Sequence, residues 1–166
     1  MTLTPVAPHE ALGGGTGMDT LNGSNGNDIM TGNGGNDLMI GGTSDTFIWD
    51  ILSTFSTTTV SPPAGFSNTS DVVQNFVVAN DLLVFKDVIN NSGTALTPAY
   101  LDTHGYTVTE GTFAAPGFAA ATDGPDVKLG FGTHGSVIIQ GVGGLAPHIS
   151  SFADLAAAGV HMDVLA

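Results

Sequence analysis

The chain contains no cysteine and no arginine, and its 166 residues include only two basic side chains, Lys86 and Lys128. Without thiols there is no disulfide framework, no thiolate nucleophile and no cysteine-ligated metal. With so few cations, nothing neutralises a phosphate backbone or an anionic membrane, and the formal net charge of −13 opposes both. Nucleic acid is therefore excluded as a partner. Long apolar runs are also missing: no stretch approaches the ~18 residues of a membrane span. Residues 1–13 carry neither the basic segment nor the apolar core of a secretory leader. The length fits one domain, or one domain with a tail.

What the chain does have is glycine, 24 of them, and aspartate, which supplies thirteen of the fifteen acids. Both concentrate in a repeat. Residues 14–22 read Gly-Gly-Thr-Gly-Met-Asp-Thr-Leu-Asn, and residues 23–31 read Gly-Ser-Asn-Gly-Asn-Asp-Ile-Met-Thr. Residues 32–40 read Gly-Asn-Gly-Gly-Asn-Asp-Leu-Met-Ile, and a shortened unit, Gly-Gly-Thr-Ser-Asp-Thr-Phe, fills 41–47. Asp19, Asp28 and Asp37 are nine apart, as are Leu21, Met30 and Met39. An acid and a large apolar residue in constant phase mark a solenoid of stacked units.

Each unit divides by chemistry. Its first six residues are turn formers, because Gly and Asn tolerate positive φ. Its last three place one large apolar side chain between smaller neighbours, a minimal strand with one inward residue. Two units make a circuit of eighteen residues, which stacks Asp19 over Asp37 and Asp28 over Asp45. Stacked carboxylates repel, and no basic residue is near. A hard divalent cation resolves this, since calcium takes about 6–8 oxygens from carboxylates and carbonyls. The expected ligand turns are Gly14, Thr16, Gly17 and Asp19; Gly23, Asn25, Gly26 and Asp28; Gly32, Gly34, Gly35 and Asp37; and Gly41, Thr43 and Asp45. About two calcium ions are expected. Leu21, Met30, Met39 and Phe47 would stack as a thin apolar core.

The unit resembles the RTX nonapeptide, Gly-Gly-x-Gly-x-Asp-x-(apolar)-x, of proteins exported by bacterial type I secretion. The first unit fits completely; Ser24 and Asn33 stand at the second Gly position of the next two, and Ser44 stands where the fourth unit expects Gly. Asp71-Val72-Val73-Gln74-Asn75-Phe76 and Asp81-Leu82-Leu83-Val84-Phe85 resemble the block that follows the repeats in serralysin-type C-terminal domains and alginate-epimerase R-modules. The resemblance implies an all-β fold: a short right-handed parallel β-roll continued by a β-sandwich-like cap with one short helix. It implies an N-terminal arm over 1–13, a roll over 14–50 and a cap over 51–166. It also implies a type I export signal in the tail, 129–166, which ends in an acidic residue and a short apolar run.

The remaining segments follow local rules. Residues 53–70 are Ser/Thr/Pro-rich, with Pro62-Pro63 ruling out regular structure. Strands are expected over 71–76, 81–85, 106–113, 126–131 and 136–142. Ser151-Phe152-Ala153-Asp154 has capping-box spacing, and Gly159 is a natural stop, so a helix is expected between them. Pro5 and Pro8 make the arm a poor strand partner, which would leave the first circuit with an open edge.

No catalytic constellation is legible. His9, His104, His134, His148 and His161 are isolated, and His9-Glu10 lacks the second His of a zinc-protease motif. Asp123-Gly124-Pro125-Asp126 reads as a turn before a strand, with either Asp available as a peripheral calcium ligand. Asp71 and Asp81 read as loop residues. The expectation is a secreted, extracellular, non-catalytic calcium-binding protein that folds when calcium binds. Two further readings remain open: the calcium-folding and export module of a larger secreted hydrolase, and a self-associating surface-layer, matrix or fibre protein. A neutral glycan or surface protein is left as partner, since two lysines cannot hold a polyanion.

Overall fold

The structure, a computed structural model, describes residues 1–4, 8–50, 70–86, 88, 95–114, 117–132, 135–145 and 148–166. Of the loop expected over 53–70, all but Ser70, the first residue of a strand, lies outside them, as does His134. The described chain is strand-rich. Its first elements are β1 (Thr2–Leu3), β2 (Ala11–Thr16), β3 (Thr20–Asn22), β4 (Ile29–Gly34), β5 (Leu38–Ile40) and β6 (Thr46–Asp50). There follow β7 (Ser70–Gln74), β8 (Leu82–Lys86), β9 (Ala95–Leu96), α1 (Pro98–Thr103), β10 (Thr107–Ala114) and β11 (Gly117–Ala120). The last are β12 (Asp126–Gly130), β13 (Ser136–Ile139), α2 (Phe152–Ala157) and β14 (His161–Leu165).

The strands form two sheets. One has the order β1-β3-β5-β7-β13-β12-β10-β11, the other β2-β4-β6-β8-β14-β9. Through β8 the chain alternates between sheets at every strand, and each strand lies parallel to the one a circuit earlier. The register advances by eighteen residues, Thr2↔Thr20↔Leu38 and Ala11↔Ile29. At the shortened unit it advances by seventeen, Ile29↔Thr46. The missing residue is absorbed in the turn, so Met30 still lies beside Phe47.

This register stacks the apolar residues in two columns. Leu3, Leu21, Met39 and Val73 are neighbours in the first sheet; Leu12, Met30, Phe47 and Leu83 are neighbours in the second. Leu21, Met30, Met39, Phe47, Val73 and Leu83 are fully buried. The columns run on into the later strands, where antiparallel pairs β13-β12-β10-β11 complete one sheet. One buried cluster, with members from Leu12 to Val164, spans the described molecule. Aromatic rings run through it: Phe47 stacks on Trp49 at 6.4 Å, Trp49 stacks on Phe85 at 5.5 Å, and Phe85 meets Phe131 at 5.0 Å with the rings tilted.

Three expectations change. The N-terminal segment is a working circuit: β1 pairs β3, β2 pairs β4, and Pro8 accepts from Asn27 N at 3.0 Å. Pro8 sits where its carbonyl is needed and its missing N–H is not. Strands β2 and β4 are six residues long and take in Thr16 and Gly34, read above as turn residues. And two short helices are present among the described residues. Helix α1 was missed, although Pro98 in its first turn and Thr97 at its N-cap are start signals. Helix α2 forms as read: Ser151 accepts from Asp154 N at 3.0 Å, and Gly159 has φ +91°. The acidic–apolar tail is β14, an inner strand between β8 and β9.

The indole Nε1 of buried Trp49 donates to Asp71 Oδ2 at 2.8 Å. Trp49→Phe keeps an aromatic ring and removes that donor. A buried carboxylate oxygen left without a partner costs about 1–3 kcal/mol. The substitution is expected to lower the unfolding free energy by that amount in urea titration, with no change in the far-ultraviolet spectrum at zero denaturant.

Candidate metal centre

The turns between the sheets carry two ladders of aspartates. In the first, Asp19 N donates to Asp37 Oδ1 at 2.9 Å, and Asp37 N to Asp71 Oδ1 at 3.0 Å. The Met1 nitrogen makes the same contact with Asp19 Oδ1. In the second, Glu10 N donates to Asp28 Oδ1 at 2.8 Å, Asp28 N to Asp45 Oδ1 at 2.9 Å, and Asp45 N to Asp81 Oδ1 at 2.8 Å. One carboxylate oxygen of each Asp thus closes the turn of the circuit before it. All six aspartates are buried. The expected stacking of Asp19 with Asp37 and Asp28 with Asp45 is present, and the shortened unit keeps Asp45 in line.

Asp71 and Asp81 belong to the ladders too. Sequence reading took them for loop residues because the nine-residue phase is broken between 45 and 71. Their signal was the Asp that precedes the apolar run in both segments, as in the repeats.

The second oxygens differ, and the difference is chemical. Asp71 Oδ2 receives Trp49 Nε1, Asp81 Oδ2 receives Val77 N at 2.7 Å, and Asp45 Oδ2 receives Gly42 N. Asp28 Oδ2 and Asp37 Oδ2 are buried with no hydrogen-bond partner. A buried unpaired carboxylate oxygen is costly, and a bound cation removes the cost. The donor set is all oxygen, which suits calcium and not a softer metal.

The glycines give these oxygens room. A Cβ on Gly14, Gly23, Gly32 or Gly41 would press on Oδ2 of the Asp in its own unit. Gly35, at φ +132°, packs so closely that a Cβ would collide with the carbonyl oxygen of Gly17, one circuit away. Gly26 meets the Pro8 carbonyl in the same way. Thr43 Oγ1 donates to Gly26 O at 2.7 Å and ties two stacked turns together. Asn25 is exposed, and Thr16 and Gly34 pair as strand residues. Ser24 and Asn33, at φ +62° and +67°, hold left-handed positions, which explains the preference for Gly there.

The fold and its donor set define a class, that of stacked-turn metal-binding repeats. The family model of the RTX calcium-binding nonapeptide repeat matches residues 13–48 in four copies, and this segment is a set of RTX repeats. No curated protein matches the chain. Among the described residues no helix is long and apolar enough to cross a membrane.

Burial pushes the metal-free Asp37 carboxyl up to about 6 and that of Asp71 up to about 7, against N–H donation from Asp19 and Asp37 that lowers them. Burial also raises Asp81. A carboxyl raised in the fold holds its proton more tightly there than in the unfolded chain. Its contribution is complete below its ordinary value of 3.8 and is lost as pH rises through about 6 for Asp37 and about 7 for Asp71. Calcium needs the ionised form, so its affinity rises across the same window. In chelator the thermal midpoint is expected to fall from its acid value until no transition remains at neutral pH, and in saturating calcium it is expected to rise. A single trend shared by both series would contradict this assignment.

Proposed function

We propose that the two sheets over residues 2–50 form a calcium-locked parallel β-roll, and that the protein is a secreted, non-catalytic calcium-binding protein that folds on meeting calcium. The observation that carries this reading is the pair of buried, partnerless oxygens, Asp28 Oδ2 and Asp37 Oδ2, one in each ladder and both inside the RTX segment. Two ions follow. One lies on the Asp19–Asp37 ladder, with carbonyls near the ends of β2 and β4 and of Gly17 and Gly35 just beyond them. The other lies on the Asp28–Asp45 ladder, with the Gly23–Gly26 and Gly41–Thr43 turns. The second is the weaker, because Asp45 Oδ2 already holds Gly42 N. Both ladders end on protein donors, Trp49 and Val77, so neither needs an ion at Asp71 or Asp81.

The energetics suit a switch. Without calcium the ladders leave buried carboxylates unpaired, and a glycine-rich chain has much backbone entropy to lose. Extracellular calcium modules bind at ~10⁻⁴–10⁻³ M, so the site is vacant in cytosol and filled outside. Each site at tenfold excess adds roughly 1.4 kcal/mol, and two add roughly 3 kcal/mol, a large part of a small domain's margin. Such a chain stays unfolded for passage through a type I secretion channel and folds on exit.

Chelation with EGTA is expected to abolish the β-sheet circular dichroism and to expose Trp49, the single tryptophan, with a red shift of its emission. Asp37→Asn should raise the calcium midpoint about tenfold or more, and Asp45→Asn less. Spectra indifferent to EGTA would sink the proposal.

A further inference from the structure

The later strands hold a second group of metal-ligating side chains, built on elements that carry none of the ladder aspartates. Glu110 on β10 is the anchor. In the first sheet the register runs Leu3↔Leu21↔Met39↔Val73↔Ile139↔Val127↔Glu110. Glu110 therefore stands at the inward position that six other strands give to an apolar residue, and it is 3% exposed. A carboxylate in that column needs a strong reason.

Two backbone donors fix it: Ile149 N reaches Oε1 at 2.7 Å, and Asp123 N reaches Oε2 at 2.9 Å. Burial opposes ionisation, but these bonds together with His148 hold the Glu110 carboxyl below its usual range. His148 Nδ1 lies 2.8 Å from Glu110 Oε2 and 3.9 Å from Asp123 Oδ1. One ligand atom from each of the three residues lies within 4.8 Å of the other two. Asp123 is held at φ +56°, a left-handed conformation that aspartate adopts at a cost. Glu110 and His148 line a cavity of about 380 Å³ together with Val108, Thr109, Ala121, Ile149 and Ser150.

We propose that Glu110, Asp123 and His148 form a site for a divalent transition ion, zinc by its chemistry, with a fourth position open to the cavity. Calcium takes oxygen ligands only, so an imidazole nitrogen between two carboxylates selects a borderline ion instead. Three protein ligands with one open position is a familiar zinc arrangement. Zinc–ligand bonds of about 2.0–2.2 Å place tetrahedral ligand atoms about 3.4 Å apart. His148 and Glu110 need only spread slightly, and the exposed Asp123 carboxylate only close. A purely structural bracket would need the two backbone bonds to Glu110. It makes no use of the Asp123 carboxylate, whose Oδ1 lies beyond hydrogen-bond distance of His148 Nδ1 yet within reach of a shared ion.

The test uses the full chain saturated with calcium, titrated with zinc by calorimetry and separately with cobalt(II). One equivalent of zinc is expected to bind without displacing calcium, and cobalt(II) should give the visible absorption of a tetrahedral site. His148→Ala and Asp123→Asn are both at exposed side chains and should each weaken zinc at least tenfold, with calcium-dependent circular dichroism unchanged. His104→Ala, outside the group, should change nothing. The proposal is overturned if zinc fails to bind, if it displaces calcium, or if its affinity is the same in His148→Ala and Asp123→Asn as in the parent.

Discussion

The structure depends on one contact repeated up the stack: an aspartate oxygen accepting the backbone N–H of the aspartate one circuit earlier. Asp37 Oδ1 holds Asp19 N, and Asp45 Oδ1 holds Asp28 N, with the same pattern above and below. This contact fixes the pitch. It forces the turns into line, which sets the strand register, which places Leu21 beside Met39 and Met30 beside Phe47. The apolar core is thin, so it relies on that alignment. The same contact leaves Asp19, Asp28, Asp37 and Asp45 a second oxygen, and Gly14, Gly23, Gly32 and Gly41 leave it space. Architecture and the proposed cation affinity thus come from the two ends of one functional group.

The ladders stop where the protein supplies its own donors. Trp49 meets Asp71, and the Val77 N–H meets Asp81. Trp49 also stacks on Phe47 and Phe85, so the end of the first ladder is joined to the aromatic core of the later strands. Among the described residues the buried cluster runs from the repeat segment into the later strands, so order at the aspartate turns reaches both sheets. Continuity of this kind makes folding of the later strands contingent on order in the turns, because β7 and β8 need β5 and β6 as partners.

Much of this was legible in the sequence, and for a physical reason. A solenoid repeats its local environment, so each unit meets nearly the same demands, and Asp19, Asp28 and Asp37 with Leu21, Met30 and Met39 show them in phase. Local chemistry also announced α2, through Ser151 and Gly159. Where the phase broke, legibility ended. Asp71 and Asp81 lost their place in the ladders, because the segment between 45 and 71 shifts the count. The N-terminal segment looked unsuited to pairing because Pro8 is a poor strand residue, but its carbonyl, not its N–H, is what the next turn uses.

By itself the sequence determined the repeat, its oxygen-rich turns, the inward apolar residues and hence the demand for calcium, since these are periodic and local. Only the tertiary structure decided which carboxylate oxygens remain unpaired, that Trp49 and Val77 close the ladders, and that Glu110, Asp123 and His148 meet. Apart from the local Val77–Asp81 bond, those outcomes depend on contacts between residues 13 to 38 positions apart, set by strand order and register. No local pattern records such a distance, and a buried Glu in an apolar column becomes visible only once the column has been assembled.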